Sequence, residues 1–415
     1  MVVKPALAVS SLLALAVSQQ VGHNTPEIHP KLVTYKCTKA GGCTAQNTSV
    51  VIDTEWRLVS SVGGTGACKE PGLSGLNKTL CPDAVTCARN CALEGVNYTA
   101  MGVQTDGADS LLLNMYVDGL GVSPRVYLLD TTGKNYEDVK LANAEISFDV
   151  DLSKLPCGMN GALYLSEMDM TGGRSDLNPA GASMGTGYCD AQCYSYSGWI
   201  NGVANLNTAG ACCNEMDLWE ANRASTKYTP HTCTKPGLYA CAAGSVDCSV
   251  NGVCAKTGCG FNTYAQGIRD FYAPNPNAAV DTRRPFTVVT QFISSTAQEL
   301  VEIRRLYVQN GRVIENPEAV SGKGDSLTDA FCANSTAFAS RGGMRAMGEA
   351  LGRGMVLVFS IWNQPDGFMQ WLDGGSNGPC NATEGDPNNI KASTPDTSVT
   401  FSNVKWGELG TTYKA

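Results

Sequence analysis

Residues 212–222 read Cys-Cys-Asn-Glu-Met-Asp-Leu-Trp-Glu-Ala-Asn, so Glu215, Asp217 and Glu220 bring three carboxylates into six positions beside a vicinal cysteine pair. Carboxylates this close cannot all ionise at neutral pH, because each added charge raises its neighbours' pKa. One keeps a proton while another stays charged, the division of roles that acid/base chemistry on a glycosidic bond requires. The spacing also constrains the backbone. On a helix each residue turns by about 100°, so positions 215 and 220 stand about 140° apart and share no face. On a flat strand Glu215 and Asp217 share a face, but Glu220 has the wrong parity. A β-bulge between Asp217 and Glu220 restores the parity and bends a run that would otherwise span roughly 16 Å. The expectation is a bulged strand on the concave face of a sheet. The plain alternative for the bare motif is a solvated acidic loop.

Elements able to carry such a strand are visible elsewhere. Residues 125–130, 145–151, 286–292 and 356–362 are rich in β-branched and aromatic side chains and read as strands. Residues 304–314 read as a hairpin turning at Asn310-Gly311, a favoured type I′ pair. One short helix is expected near 344–351. With 45 glycines, few charges and no internal repeat or linker-like tract, the chain reads as an all-β sandwich or jelly roll. A single large domain over residues 19–415 is expected.

The first 18 residues have the form of a secretory signal: Lys4, an apolar stretch from Ala6 to Val17, and a small-residue site at Ala16-Val17-Ser18. No later stretch is apolar enough for a membrane helix, so a secreted, extracellular protein is expected. All 18 cysteines follow that leader, an even count that in an oxidising compartment implies nine disulfides. Cys87/Cys91, Cys189/Cys193 and Cys254/Cys259 have loosely ligand-like spacings, but three histidines and secretion argue against zinc. Adjacent residues on a strand point to opposite faces, so Cys212 and Cys213 should bond different partners. Sequons at Asn47, Asn77, Asn97, Asn334 and Asn381 suit a glycosylated extracellular chain. A net charge of −8 disfavours nucleic acid and anionic membranes as partners and suits a neutral polymer such as a glucan.

Residues 212–222, followed by Thr229-Pro230-His231, resemble the catalytic signature of glycoside hydrolase family 7, the retaining cellulases. Residues 27–32, 36–43, 124–130, 185–193, 355–362 and 401–407 resemble further family blocks, in family order. The resemblance implies a concanavalin-like β-jelly roll of two packed antiparallel sheets, with a long substrate cleft and no cofactor or metal. It implies Glu215 as nucleophile, Glu220 as general acid/base, Asp217 hydrogen-bonded to Glu215 and steering its ionisation, and His231 on the leaving-group side. Tyr164, Tyr188, Asp190 and Gln192 resemble polar cleft contacts, and positions 188, 190 and 192 would alternate on one strand face. Trp56, Trp362 and Trp371 match sugar-stacking positions, whereas core packing is the reading for Trp199, Trp219 and Trp406. The implied disulfides are Cys37–Cys43, Cys68–Cys91, Cys81–Cys87, Cys157–Cys380, Cys189–Cys213, Cys193–Cys212, Cys233–Cys254, Cys241–Cys248 and Cys259–Cys332.

Within that family three departures favour the open-cleft endo-β-1,4-glucanase over the tunnel-forming cellobiohydrolase. Leu58 replaces a tunnel-entrance tryptophan, Ala265 replaces a product-side arginine, and residues 371–380 are short where the exo enzymes carry a longer loop. No linker or cellulose-binding module follows residue 410, so better action on soluble or amorphous β-1,4-glucan than on crystalline cellulose is expected. Cellulose and soluble β-1,4-glucan chains are the expected partners, and a monomer is expected. Two other classes stay open on the residues alone. One is a lectin-like glucan binder with a vestigial triad. The other is a calcium site, weakened by the lack of an oxygen-rich ligand loop around the triad.

Overall fold

The computed structural model describes residues 20–64, 66–73, 75–296 and 299–414; the expected leader at 1–18 lies outside them. Thirteen strands define the frame, in chain order: β1 (Thr34–Thr38), β2 (Gly42–Gln46), β3 (Ser49–Ile52), β4 (Arg125–Leu129), β5 (Ala144–Asp151), β6 (Met159–Ser166), β7 (Glu215–Ala221), β8 (Thr226–His231), β9 (Phe286–Ser294), β10 (Leu300–Gln309), β11 (Arg312–Glu315), β12 (Val356–Asn363) and β13 (Ser398–Glu408). Strands expected from sequence at 125–130, 145–151, 286–292 and 356–362 appear as β4, β5, β9 and β12. The expected hairpin is β10–β11, with Asn310 at φ 55° and Gly311 at φ 72°, the positive pair that a type I′ turn demands. The expected helix spans Gly343–Arg353.

Two sheets hold these strands. One is antiparallel throughout, in the order β8-β7-β6-β12-β4-β3. The other runs β11-β10-β9-β5-β13-β1-β2, with Ser110–Asn114 also paired to β13. It departs from the expected all-antiparallel sheet at one seam. There β1 lies parallel to β13, because the sheet seats an early strand beside the last one. Period-two alternation divides the first sheet's faces. Val50, Val126, Leu163, Met216 and Leu357 point into a core shared with Phe148, Val288 and Phe401 of the second sheet. This β-jelly-roll sandwich leaves the first sheet's opposite face for other work.

Loops pinned by disulfides cover part of that face. Val51, Tyr127, Tyr164 and Val358 pack there under Tyr188, Cys189 and Cys213 as a second apolar cluster. Nine disulfides form, in the pairs the resemblance implies: Cys37–Cys43, Cys68–Cys91, Cys81–Cys87, Cys157–Cys380, Cys189–Cys213, Cys193–Cys212, Cys233–Cys254, Cys241–Cys248 and Cys259–Cys332. Cys212 and Cys213 take different partners, so the chain entering β7 is tied at two points to the 189–193 segment.

Candidate active site

β7 is bulged where parity requires it. Against β6, Leu163 faces Trp219 and Tyr164 faces Asp217, which leaves Leu218 without a partner. Against β8 the register also shifts between Asp217 and Glu220. One extra residue inverts the alternation. Met216, Leu218, Trp219 and Ala221 all enter the core, while Glu215, Asp217 and Glu220 line a cleft of ≈ 670 Å³ on the other face. Trp219 fixes the switch: it is fully buried, edge-on to Phe148, Tyr272 and Phe286, and could not exchange places with Glu220 without exposing an indole to the cleft.

The carboxylates are closely held. Glu215 Oε2 accepts the Ala191 amide at 3.0 Å. Glu220 Oε1 accepts from Asn160 Nδ2 at 3.0 Å. Asp217 Oδ2 lies 3.0 Å from His231 Nε2, and His231 Nδ1 donates to the Ala255 carbonyl at 2.8 Å. That ring faces an acceptor on each side, a setting suited to the imidazolium. Burial alone would lower the His231 pKa, but the hydrogen bond and charge of Asp217 outweigh it and raise the value. Burial, then the charges of Asp217 and Asp190, push Glu215 well above the ordinary carboxyl range. Burial and Asp217 push Glu220 to about 8, against the pull of Lys227 and His231. Burial also raises Asp190, although Arg125 opposes it. The cluster therefore carries protons through neutral pH rather than a full set of charges.

The remaining expected contacts also reach this cleft. Tyr164 and Tyr188 share a hydroxyl–hydroxyl hydrogen bond of 3.0 Å. Trp362 and Trp371 lie near-parallel, ring centres 6.2 Å apart, and Trp56 lines the same cleft. Each of the three is half-buried, which leaves ring surface for a sugar. Trp199, Trp219 and Trp406 are buried, as core packing requires. Tyr188, Asp190 and Gln192 do line the cleft, but they do not alternate on a strand. The segment turns at Asp190–Cys193, with Cys193 at φ 58°, because two disulfides fold it against the strand Gly210–Cys212. Gln192 is thereby turned to the cleft rim, its amide donating to the Lys256 carbonyl at 2.8 Å. The groups of metal-ligand atoms close enough to share an ion, among the described residues, are built on disulfide cysteines, and the triad is not one of them.

Several cleft residues escaped the sequence reading. Arg125 stacks 3.6 Å over Tyr188 and 4.7 Å over Tyr194. Lys227 lies 5.5 Å over Trp371. Asn160 shares strand parity with Tyr164, and Lys227 with His231, signals that could have found both; Arg125 left none. Gly258 is required by its close passage over Thr229, Pro230 and His231 of β8. At φ +56° it passes so close that a Cβ would stand 2.5 Å from Thr229 Cγ2, 2.7 Å from the Pro230 carbonyl oxygen and 2.8 Å from His231 Nδ1.

The family model for Glycosyl hydrolase family 7 matches residues 21–413. The chain belongs to this family. It is 56% identical over 415 residues to a probable endo-beta-1,4-glucanase celB of Aspergillus terreus, covering 97% of each chain. Its fold is similar to the native structure of Humicola insolens endocellulase EGI, with TM-score 0.90 and 45% identity over 95% of this chain and 100% of that one. A family 7 cellobiohydrolase from Daphnia pulex is also similar, with TM-score 0.87 and 36% identity over 95% of this chain and 100% of that one. This family 7 chain is a glycoside hydrolase, and its cleft holds the three carboxylates of its signature on one bulged strand.

Proposed function

We propose that the enzyme is a secreted, single-domain, monomeric endo-β-1,4-glucanase that cuts internal bonds of cellulose and related glucans by double displacement with retention. The single observation that carries this reading is the bulge in β7, which turns Glu215 and Glu220 into one cleft with Asp217 between them. Glu215 attacks the anomeric carbon as Glu220 passes its proton to the leaving oxygen; the glycosidic C–O bond breaks and a glycosyl ester forms. Glu220, now a carboxylate, removes a proton from water, whose oxygen displaces Glu215 and regenerates both groups. Asp217 pairs with His231 and biases when Glu215 carries charge. The tryptophan faces support pyranose rings on either side of the bond.

Endo action is favoured over exo by the relatives' own names, since identity to the Humicola endocellulase exceeds that to the Daphnia cellobiohydrolase. It is also favoured by the small side chain at Ala265, in the polar recess beyond Lys227 where Asn262, Gln266 and Asn377 supply neutral amides. Without arginine there, hold on a released product is weak and threading from a chain end is disfavoured. Secretion rests on the leader and the nine disulfides, and the five sequon asparagines are exposed. Viscosity and reducing ends followed together on carboxymethylcellulose test the endo reading. Early viscosity collapse is expected; slow collapse with abundant cellobiose refutes it. Glu215→Gln tests the site, with turnover expected to fall at least about 1,000-fold while cello-oligosaccharide binding persists. Unchanged turnover removes Glu215 from its role.

A further inference from the structure

Arg305, on β10 of the opposite sheet, reaches across the core to the back of the catalytic strand. It is fully buried. Its Nη2 donates to the carbonyl of Leu218, the residue that the bulge leaves unpaired. Its guanidinium lies 4.4 Å over Tyr228 of β8, 5.6 Å over Trp219 of β7 and 5.9 Å over Tyr307. Nε and Nη1 find no hydrogen-bond partner among the described residues.

That environment is unusual for a buried arginine. Arg57, equally buried, is neutralised by two bonds to Glu27 at 2.6 and 2.9 Å. Arg305 is met by ring faces, one carbonyl and the neutral hydroxyl of Tyr307, with no carboxylate among the described residues to balance its charge, a poor exchange for hydration if stability were its purpose. A bulge, however, frees a backbone carbonyl from the sheet ladder, and a buried carbonyl without a donor is costly. Without a donor behind it, β7 can recover ladder bonds by losing the bulge, and that would invert the parity of Glu220.

We infer that Arg305 is a positioning residue for catalysis: by capping the Leu218 carbonyl and bracing Trp219 and Tyr228, it holds the register switch that sets Glu220 across from Glu215. The inference rests on the proposed roles of those two glutamates. It predicts a loss confined to the chemical step, because the sugar-stacking tryptophans lie outside the braced segment.

The test is steady-state kinetics on cellotetraose, with calorimetric melts, for the parent, Arg305→Met and Arg305→Lys. Arg305→Met removes the donor while filling the space. Its kcat is expected to fall about 30-fold or more with KM within twofold of the parent. Arg305→Lys offers a shorter, single-point donor and is expected to recover at least threefold over Arg305→Met while staying at least fivefold below the parent. A folded Arg305→Met with kcat within threefold of the parent overturns the inference. So does a KM that rises in step with the fall in kcat, or Arg305→Lys no better than Arg305→Met. Should Arg305→Met give no cooperative melt, Arg305→Lys decides. A kcat at least fivefold down at unchanged KM supports the role, and one within twofold of the parent refutes it. An inactive parent would instead refute the glucanase reading, so the two failures are distinguishable.

Discussion

Replacing Glu220 by Gln separates its chemistry from its burial. The carboxyl titrates at about 8 rather than near 4.5 because burial and Asp217 disfavour its charge. A group whose folded pKa is raised contributes stability below its unfolded pKa, and that contribution is lost as pH rises through the folded value. Each pH unit of displacement corresponds to about 1.4 kcal/mol, a ceiling of about 5 kcal/mol. Glu220 is only half-buried and faces the cleft, so water screening reduces the figure to about 2 kcal/mol. Gln keeps an oxygen for Asn160 Nδ2 but cannot ionise. At pH 4–5 the two proteins should therefore melt together. Above pH 8 the variant should be the more stable, by about 2 °C to 3 °C if unfolding entropy is about 2.1 cal/mol/K per residue. Calorimetric melts from pH 4 to 9 measure this. Parallel curves, or a variant that weakens at high pH, would refute the assignment of a buried proton to Glu220. The same variant should lose about 1,000-fold or more on cellotetraose and far less in the first step on a dinitrophenyl cellobioside, whose leaving group needs no proton.

Other perturbations address neighbouring parts of the site. Asp217→Asn removes the partner that outweighs burial at His231, so an NMR titration of the ring should show its pKa falling; an unchanged value would mean the pair does not couple. Trp371→Ala should raise KM for cellotetraose about tenfold with a smaller change in kcat, the signature of a lost stacking platform; an unchanged KM removes it from binding. Gly258→Ala should lower both the melting midpoint and kcat, since its Cβ meets Thr229 Cγ2 at 2.5 Å, the Pro230 carbonyl at 2.7 Å and His231 Nδ1 at 2.8 Å, and its φ is +56°; parental values for both would show the loop yields freely. Replacing Cys189 and Cys213 together by Ala leaves Cys193–Cys212 closing the longer loop, so only the short ring between the two bridges opens and the cost should be about 2 kcal/mol. The replacement should also reduce kcat, because the Ala191 amide that binds Glu215 lies inside that ring; activity equal to the parent would detach the ring from the site.

Legibility followed the range of the interactions involved. β-Branched and aromatic content exposed β4, β5, β9 and β12, and Asn310-Gly311 exposed the β10–β11 turn, because each is decided by neighbours in the chain. The bulge was also legible, since three carboxylates can share a strand face only if one residue is added between Asp217 and Glu220. The 188–192 segment was misread as a strand. Its shape is set by disulfides to residues 212 and 213, and no periodicity along the chain records that tether.

What the sequence determined by itself is the chemistry of one strand: which carboxylates come together, in what order, and with what parity defect. Tertiary structure decided what those groups feel. Asn160 reaches Glu220 from β6, Ala191 reaches Glu215 from a disulfide-held turn, and Arg305 reaches the back of the bulge from the opposite sheet. Proton affinity depends on burial and on charges brought near through space, so it is fixed only once distant segments have packed around the site.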